Sequence, residues 1–239
     1  MTKFNLLRSN RLMCLTRTVL SGAVLIMSTI LMGGCASETL LSAQFNNDAV
    51  DEPPAIDQEV GQVRTGDFGT VRVAPAPGVG ITGHWVQLTQ AQEFAPPASL
   101  RGIFSAMRGD GNYLVAMRLF IPSQMAAFVL FEESGFNPSS FLSIELPTSG
   151  IFRAPGSDSI AGHFPHDQAF SIAVNLNIGP SSTATVTLLG PAHGSIDIDI
   201  PPQVNTVARL FSVVRLNTDP GIAGDTFFAN DLSTIFHKP

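Results

Sequence analysis

The densest cluster of metal-ligating residue types is His163-Phe164-Pro165-His166-Asp167. Two imidazoles and a carboxylate could hold a divalent cation. Pro165 makes the segment extended or turning, so spacing alone does not aim the two rings at one point. A polar loop in which Asp167 caps a turn is the plainer reading. Asp197 and Asp199 stand two apart, which in a strand puts both on one face. They could chelate Ca2+, which favours oxygen donors, and Asp225, Asn230 and Asp231 could do likewise. Solvated carboxylates on a wet strand face are the alternative.

Hydrolysis of a glycosidic bond needs two carboxyl groups about 5 to 10 Å apart. Glu132, Glu133 and Glu145 are the candidates, but Glu132 and Glu133 are adjacent and would point to opposite faces of a regular strand. Gly-x-Ser-x-Gly and the phosphate-binding glycine loops are absent. Trp85 could contact a ligand by stacking on a sugar ring. Yet 17 of the 19 aromatic residues are Phe, which has no polar edge, and this favours Trp85 as a core residue. Arg108-Gly109-Asp110 matches an adhesion tripeptide, but Gly and Asp are also what a tight turn requires. These absences predict a protein that is not an enzyme.

Cys35 is the residue with the clearest chemistry. Lys3, Arg8, Arg11 and Arg17 precede an uncharged apolar run from 18 to 32, and Gly33-Gly34 precede the cysteine. A basic lead, a short apolar run and small residues before a cleavage point make a secretory signal peptide. The run is shorter than the roughly 20 residues that a spanning helix needs. Leu31-Met32-Gly33-Gly34-Cys35 resembles the lipobox of bacterial lipoproteins, with Met32 where leucine is usual. The resemblance implies cleavage before Cys35 and acylation of its thiol and new amine. Each buried methylene contributes about 0.8 kcal/mol, so several chains anchor stably. Ala36, in place of an aspartate, implies the outer membrane, facing the periplasm.

Of 239 residues, removal of the first 34 leaves 205, enough for one domain with a full core. Cys14 leaves with the signal, so the folded part has no free thiol and no disulfide. Nine basic residues face 19 acidic ones after cleavage, a net of −10, which argues against nucleic acid as a partner. Lys238 is the one lysine that remains. Between 35 and 62 the acids Glu38, Asp48, Asp51, Glu52, Asp57 and Glu59 occur with no base, and Pro53-Pro54 break any period. That composition predicts a flexible tether.

From 63 to 239 short apolar or alternating runs are punctuated by Gly, Pro, Asn, Asp and Ser, and no helical period is sustained. Ile172, Val174, Leu176 and Ile178 share one parity, Gly179-Pro180-Ser181-Ser182 turn the chain, and Ala184, Val186 and Leu188 alternate with threonines. This predicts a hairpin lying on a core. Asp110-Gly111 carries another hairpin-turn signal. Ten or more such strands predict an all-β, antiparallel two-sheet β-sandwich of the jelly-roll kind. The stretch FSIAVNLNIGPSSTATVTLLG, with a last strand around Phe227 to Leu232, resembles concanavalin-type jelly rolls, which include laminin-G-like and glucanase-like modules. That resemblance admits an accessory Ca2+ ion. The leading expectation is an envelope lipoprotein, held to membrane lipid through Cys35, with a binding or scaffolding module for an envelope protein or glycan. The alternative is a glycan-active enzyme of the concanavalin-like glucanase class.

Overall fold

The computed structural model describes residues 36–133, 139–153, 159–201 and 210–238. Their regular structure is all β: β1 (Ser37–Ala43), β2 (Gln62–Thr65), β3 (Thr70–Pro75), β4 (His84–Thr89), β5 (Ser99–Arg108), β6 (Gly111–Phe120), β7 (Ala127–Glu133) and β8 (Ser140–Leu146). The order continues through β9 (Ile151–Arg153), β10 (Ile160–His163), β11 (Ala169–Ile178), β12 (Thr183–Leu189), β13 (His193–Asp199), β14 (Phe211–Asn217) and β15 (Thr226–His237). A ten-stranded sheet runs β3-β4-β15-β6-β11-β12-β13-β10-β9, with β1 on β15, and a five-stranded sheet runs β2-β5-β14-β7-β8. All pairings between them are antiparallel.

Period-2 alternation builds the core. Phe170, Ile172, Val174, Leu176 and Ile178 of β11 are buried, as are Tyr113, Val115, Met117 and Leu119 of β6. They pack in one cluster with Leu100, Val129, Phe131, Val214 and Leu216 of the five-stranded sheet. The predicted hairpin forms as β11 and β12, paired in unbroken register from Ser171↔Leu189 to Asn177↔Thr183. Strand β15 is the organiser of one edge. It pairs with β6 on one side and, on the other, first with β4 and then with β1. Its register shifts between Asn230 and Ser233, where Asp231 adopts φ 52°. That bulge redirects the strand between its two partners.

Two expectations are corrected here. The acidic stretch from 35 to 62 is not a free tether: β1 pairs with β15, and Leu40, Leu41, Ala43 and Phe45 are all 0–1% exposed. Burying those four side chains offsets the ordering cost that the acids alone would leave uncovered. Nor does Asp110-Gly111 close a hairpin. Strand β5 lies in the five-stranded sheet and β6 in the ten-stranded one, so the turn is an arch between sheets. Gly111 is required at the arch because a Cβ there would meet the Phe236 ring at 2.4 Å. Arg108 is consequently held against Glu38 rather than displayed at a hairpin tip. The apolar run from 207 to 216 reads as a strand in the sequence and is observed as β14 from Phe211, residues 207–209 lying outside the described ones.

Candidate functional site

The sequence candidates are dispersed over the fold. His163 is exposed on β10 with its ring 5.7 Å from that of His193, its partner on β13. His166 donates from Nδ1 to the Pro122 carbonyl at 2.9 Å, and its buried Nε2 has no partner. Asp167 accepts from the Ser123 amide at 3.2 Å and from the Ser123 hydroxyl. Those bonds hold its carboxyl below the usual range. Asp231 faces Arg118 instead, its Oδ2 3.7 Å from Nη1. Each candidate has its own neighbour, and no group of three or more His, Cys, Asp or Glu among the described residues could hold a metal ion. The Ca2+ candidates divide in the same way. Asp225 is fully buried and its carboxylate accepts the backbone amides of Ala126 (2.9 Å) and Asp219 (2.7 Å). Asp197 takes the Thr185 hydroxyl at 2.7 Å. Burial pushes the Asp225 carboxyl up, against the lowering effect of the amides it accepts. Cys35 lies outside the described residues.

Trp85 is fully buried, but it is not part of the cluster between the sheets. Val86 and Leu88 take the inward parity of β4, so Trp85 lies on the outer side of the ten-stranded sheet. Its indole donates to the Thr82 carbonyl at 3.3 Å, and the Arg118 guanidinium covers the ring at 5.2 Å from the centroid. The ring therefore offers no free face to a sugar. Arg118, half-buried between Trp85 and Asp231, is the group presented there.

Beyond Arg118 the same outer face carries polar side chains in register. Asn177, Thr183 and Asp199 stand side by side on β11, β12 and β13, and Asn175, Thr185 and Asp197 form the adjacent row. Ala173, Thr187 and Ser195 make a third row, with Thr187 and Ser195 hydroxyls 3.2 Å apart. Neighbouring strands lie about 4.8 Å apart, so the face repeats amide, hydroxyl and carboxylate groups on a regular grid. Such a grid can both donate to and accept from the hydroxyls of a flat, polyhydroxylated ligand. Sequence reading placed these residues on wet strand faces; their alignment into rows is set by strand pairing.

On the five-stranded sheet, Glu132 is 3% exposed and paired to Arg215 at 2.8 Å. Glu145 is exposed on β8, opposite Phe128.

The fold is that of a concanavalin-like β-sandwich. The chain matches no protein-family model and no curated protein. Among solved structures it is similar to a carbohydrate esterase of the Shiga toxin-encoding bacteriophage phi24B, with TM-score 0.56 and 12% identity, over 85% of this chain and 100% of that one. It is similar to an endo-β-1,4-glucuronan lyase of the fungus Trichoderma reesei, with TM-score 0.53 and 10% identity, over 82% and 95%. The catalytic domain of a glycoside hydrolase family 131 protein from Coprinopsis cinerea gives TM-score 0.51 and 14% identity, over 82% and 93%. These likenesses establish the fold. They also correct the expectation that the chain is not an enzyme, because an esterase, a lyase and a hydrolase share its architecture. Missing linear motifs carry little weight in such a sandwich. Cross-strand pairing brings together residues far apart in sequence, so a catalytic set need not leave a local signature.

Proposed function

We propose that the chain is a lipid-anchored envelope protein whose β-sandwich is directed at carbohydrate. Cys35, acylated after signal cleavage, holds it at the outer membrane facing the periplasm. The outer face of the ten-stranded sheet is the binding surface. The observation that carries this is the in-register grid of Asn175, Thr185 and Asp197 beside Asn177, Thr183 and Asp199. The fold shared with three carbohydrate-active proteins supports it.

The test is a polysaccharide panel scored for both binding and released product, using the full chain in detergent. Asn175→Ala with Thr185→Ala should weaken binding at least tenfold without moving the thermal midpoint. Asn175 is exposed, and the Thr185 hydroxyl bonds to the exposed Asp197, so neither substitution touches the core between the sheets. A panel with neither binding nor product would remove the proposal. For the anchor, Cys35→Ser should release the protein from the membrane fraction, and mass spectrometry of the mature terminus should show the acyl chains.

A further inference from the structure

A row of basic side chains crosses the outer face of the other sheet, flanked there by the half-buried Ile103, Val213, Phe128 and Leu130. On the outer surface of the five-stranded sheet, Arg64 of β2 stands opposite Arg101 of β5, and Arg101 opposite Arg215 of β14. The parity is consistent: Val63 and Gly102 on the inward parity are buried, while Arg64 and Arg101 are exposed. Three guanidinium-bearing positions thus form one row across three adjacent strands, roughly 10 Å from end to end. Like charges directly opposite each other destabilise a sheet. The row also concentrates three of the eight arginines that follow Cys35, in a stretch whose net charge is −10.

Among the described residues, neutralisation reaches one end of the row alone. Arg215 is fixed by the buried Glu132 at 2.8 Å. Among the described residues Arg64 and Arg101 make no ion pair. Two further polar atoms on the same face lack partners. Arg215 Nε is buried and unbonded, and so is Oδ1 of Asn217, a residue 8% exposed that shares the parity of Arg215 on β14. Orphaned buried polar atoms are costly and call for a ligand or solvent group to meet them.

We infer that this row is a binding site for a uronic-acid polysaccharide, a chain of sugars each bearing a carboxylate. The planar guanidinium fork matches a carboxylate at two points, and an arginine at such a site is not replaceable by the point charge of lysine. Successive strands present successive guanidiniums, which suits successive carboxylates along one extended polymer. Asn217 beside the row offers an amide to the hydroxyls that such a sugar also carries. The anion site stands on the register alone. The choice of a sugar over another polycarboxylate rests on the carbohydrate reading of the fold.

The experiment compares polygalacturonate and alginate fragments with methyl-esterified polygalacturonate, polyglutamate and phosphatidylglycerol vesicles, on the full chain in detergent. Binding of the two uronic polymers should fall with salt and drop at least tenfold in the Arg64→Gln/Arg101→Gln double variant. The variant's thermal midpoint should stay level or rise, because two opposed like charges are gone. The methyl ester, which keeps the hydroxyls and loses the charge, should not bind. Equal binding of the methyl ester, of polyglutamate or of the vesicles would overturn the inference, as would an unchanged affinity in the double variant. The Asn175→Ala/Thr185→Ala variant separates the two sites. It should retain uronate binding in full, whereas failure of the carbohydrate reading alone would show as no response to neutral polysaccharides with the arginine row still active toward charged ones.

Discussion

Arg108 and Glu38, 70 residues apart in the chain, meet in a two-point ion pair, Nε to Oε2 at 2.9 Å and Nη2 to Oε1 at 2.7 Å. The pair fastens β1 to the arch between the sheets. Both side chains remain about two-fifths exposed, at 38% and 42%, so solvent screens the attraction to no more than about 1 kcal/mol. The apolar side chains of β1 do most of the holding. Glu38→Gln should therefore shift urea-unfolding stability by less than about 1 kcal/mol. Leu40→Ala, at a site 0% exposed, should cost about 2–5 kcal/mol. Similar losses for the two variants would contradict the embedding of β1.

Asp225 fastens the loops at the far end of the sandwich through the amides of Ala126 and Asp219. Asn in its place would turn one amide nitrogen toward a backbone N–H, and Asp225→Asn should cost about 1–3 kcal/mol. The pH dependence has a definite sign. Burial raises the folded-state carboxyl above its usual 3.8, so the native state holds the proton more firmly than the unfolded chain. The resulting stabilisation is present below 3.8 and is lost as pH rises through the raised value. Subtracting the unfolding curves of Asp225→Asn from those of the parent, at steps upward from pH 3, isolates it. A contribution that grows with pH over that window would refute the assignment.

Tyr113 is the one tyrosine of the chain. It is fully buried, its hydroxyl donates to the Gly109 carbonyl at 2.6 Å, and its ring packs on Phe211 and Phe236. Burial pushes the phenol well above its usual 10.0. The fold keeps the protonated form, so its contribution is complete below 10.0 and declines as pH climbs past that point. Phenolate absorbance should appear only together with unfolding, followed by circular dichroism in the same alkaline titration. Tyr113→Phe should cost about 0.5–1.5 kcal/mol through the lost hydrogen bond.

Gly111 begins β6 at φ 152°, with the Phe236 ring in the space a Cβ would occupy. Gly111→Ala should destabilise by about 1–3 kcal/mol through overpacking. Pairing it with Phe236→Leu should recover the part of that loss due to the ring, while the positive φ and the His237 carbonyl 3.0 Å from the Cβ position keep the rest. A double variant no better than the sum of the single ones would place the cause in the backbone instead.

Strands β3 to β15 were legible because alternation and punctuation are local. The β11–β12 hairpin shows both in 20 consecutive residues, Ala169 to Leu188. Strand β1 escaped for a physical reason. Its register shifts between Thr39 and Leu41, so Leu40 and Leu41 are both buried, and the bulge erases the period that marks a strand. Strand β2 has four residues, too few to show a period. Asp110-Gly111 has the chemistry of a tight turn, and turn chemistry does not say whether the next strand returns to the same sheet. The functional surfaces were the least legible part. Arg64, Arg101 and Arg215 become neighbours only through two strand pairings, as do Asn175, Thr185 and Asp197. Nothing in the linear text relates residue 64 to 215.

The first strand starts at Ser37, and Ala36 alone separates it from Cys35. With that cysteine acylated as proposed, the fatty chains are moored within about 7 Å of the strand's opening residue, at some 3.3–3.6 Å per residue. His237, opposite Ser37 in the first rung, and Lys238 after it are then carried down to the lipid headgroups. So anchored, the molecule would stand on the bilayer like a post set directly in the ground, and whatever it gripped would have to come within one protein's height of the lipid.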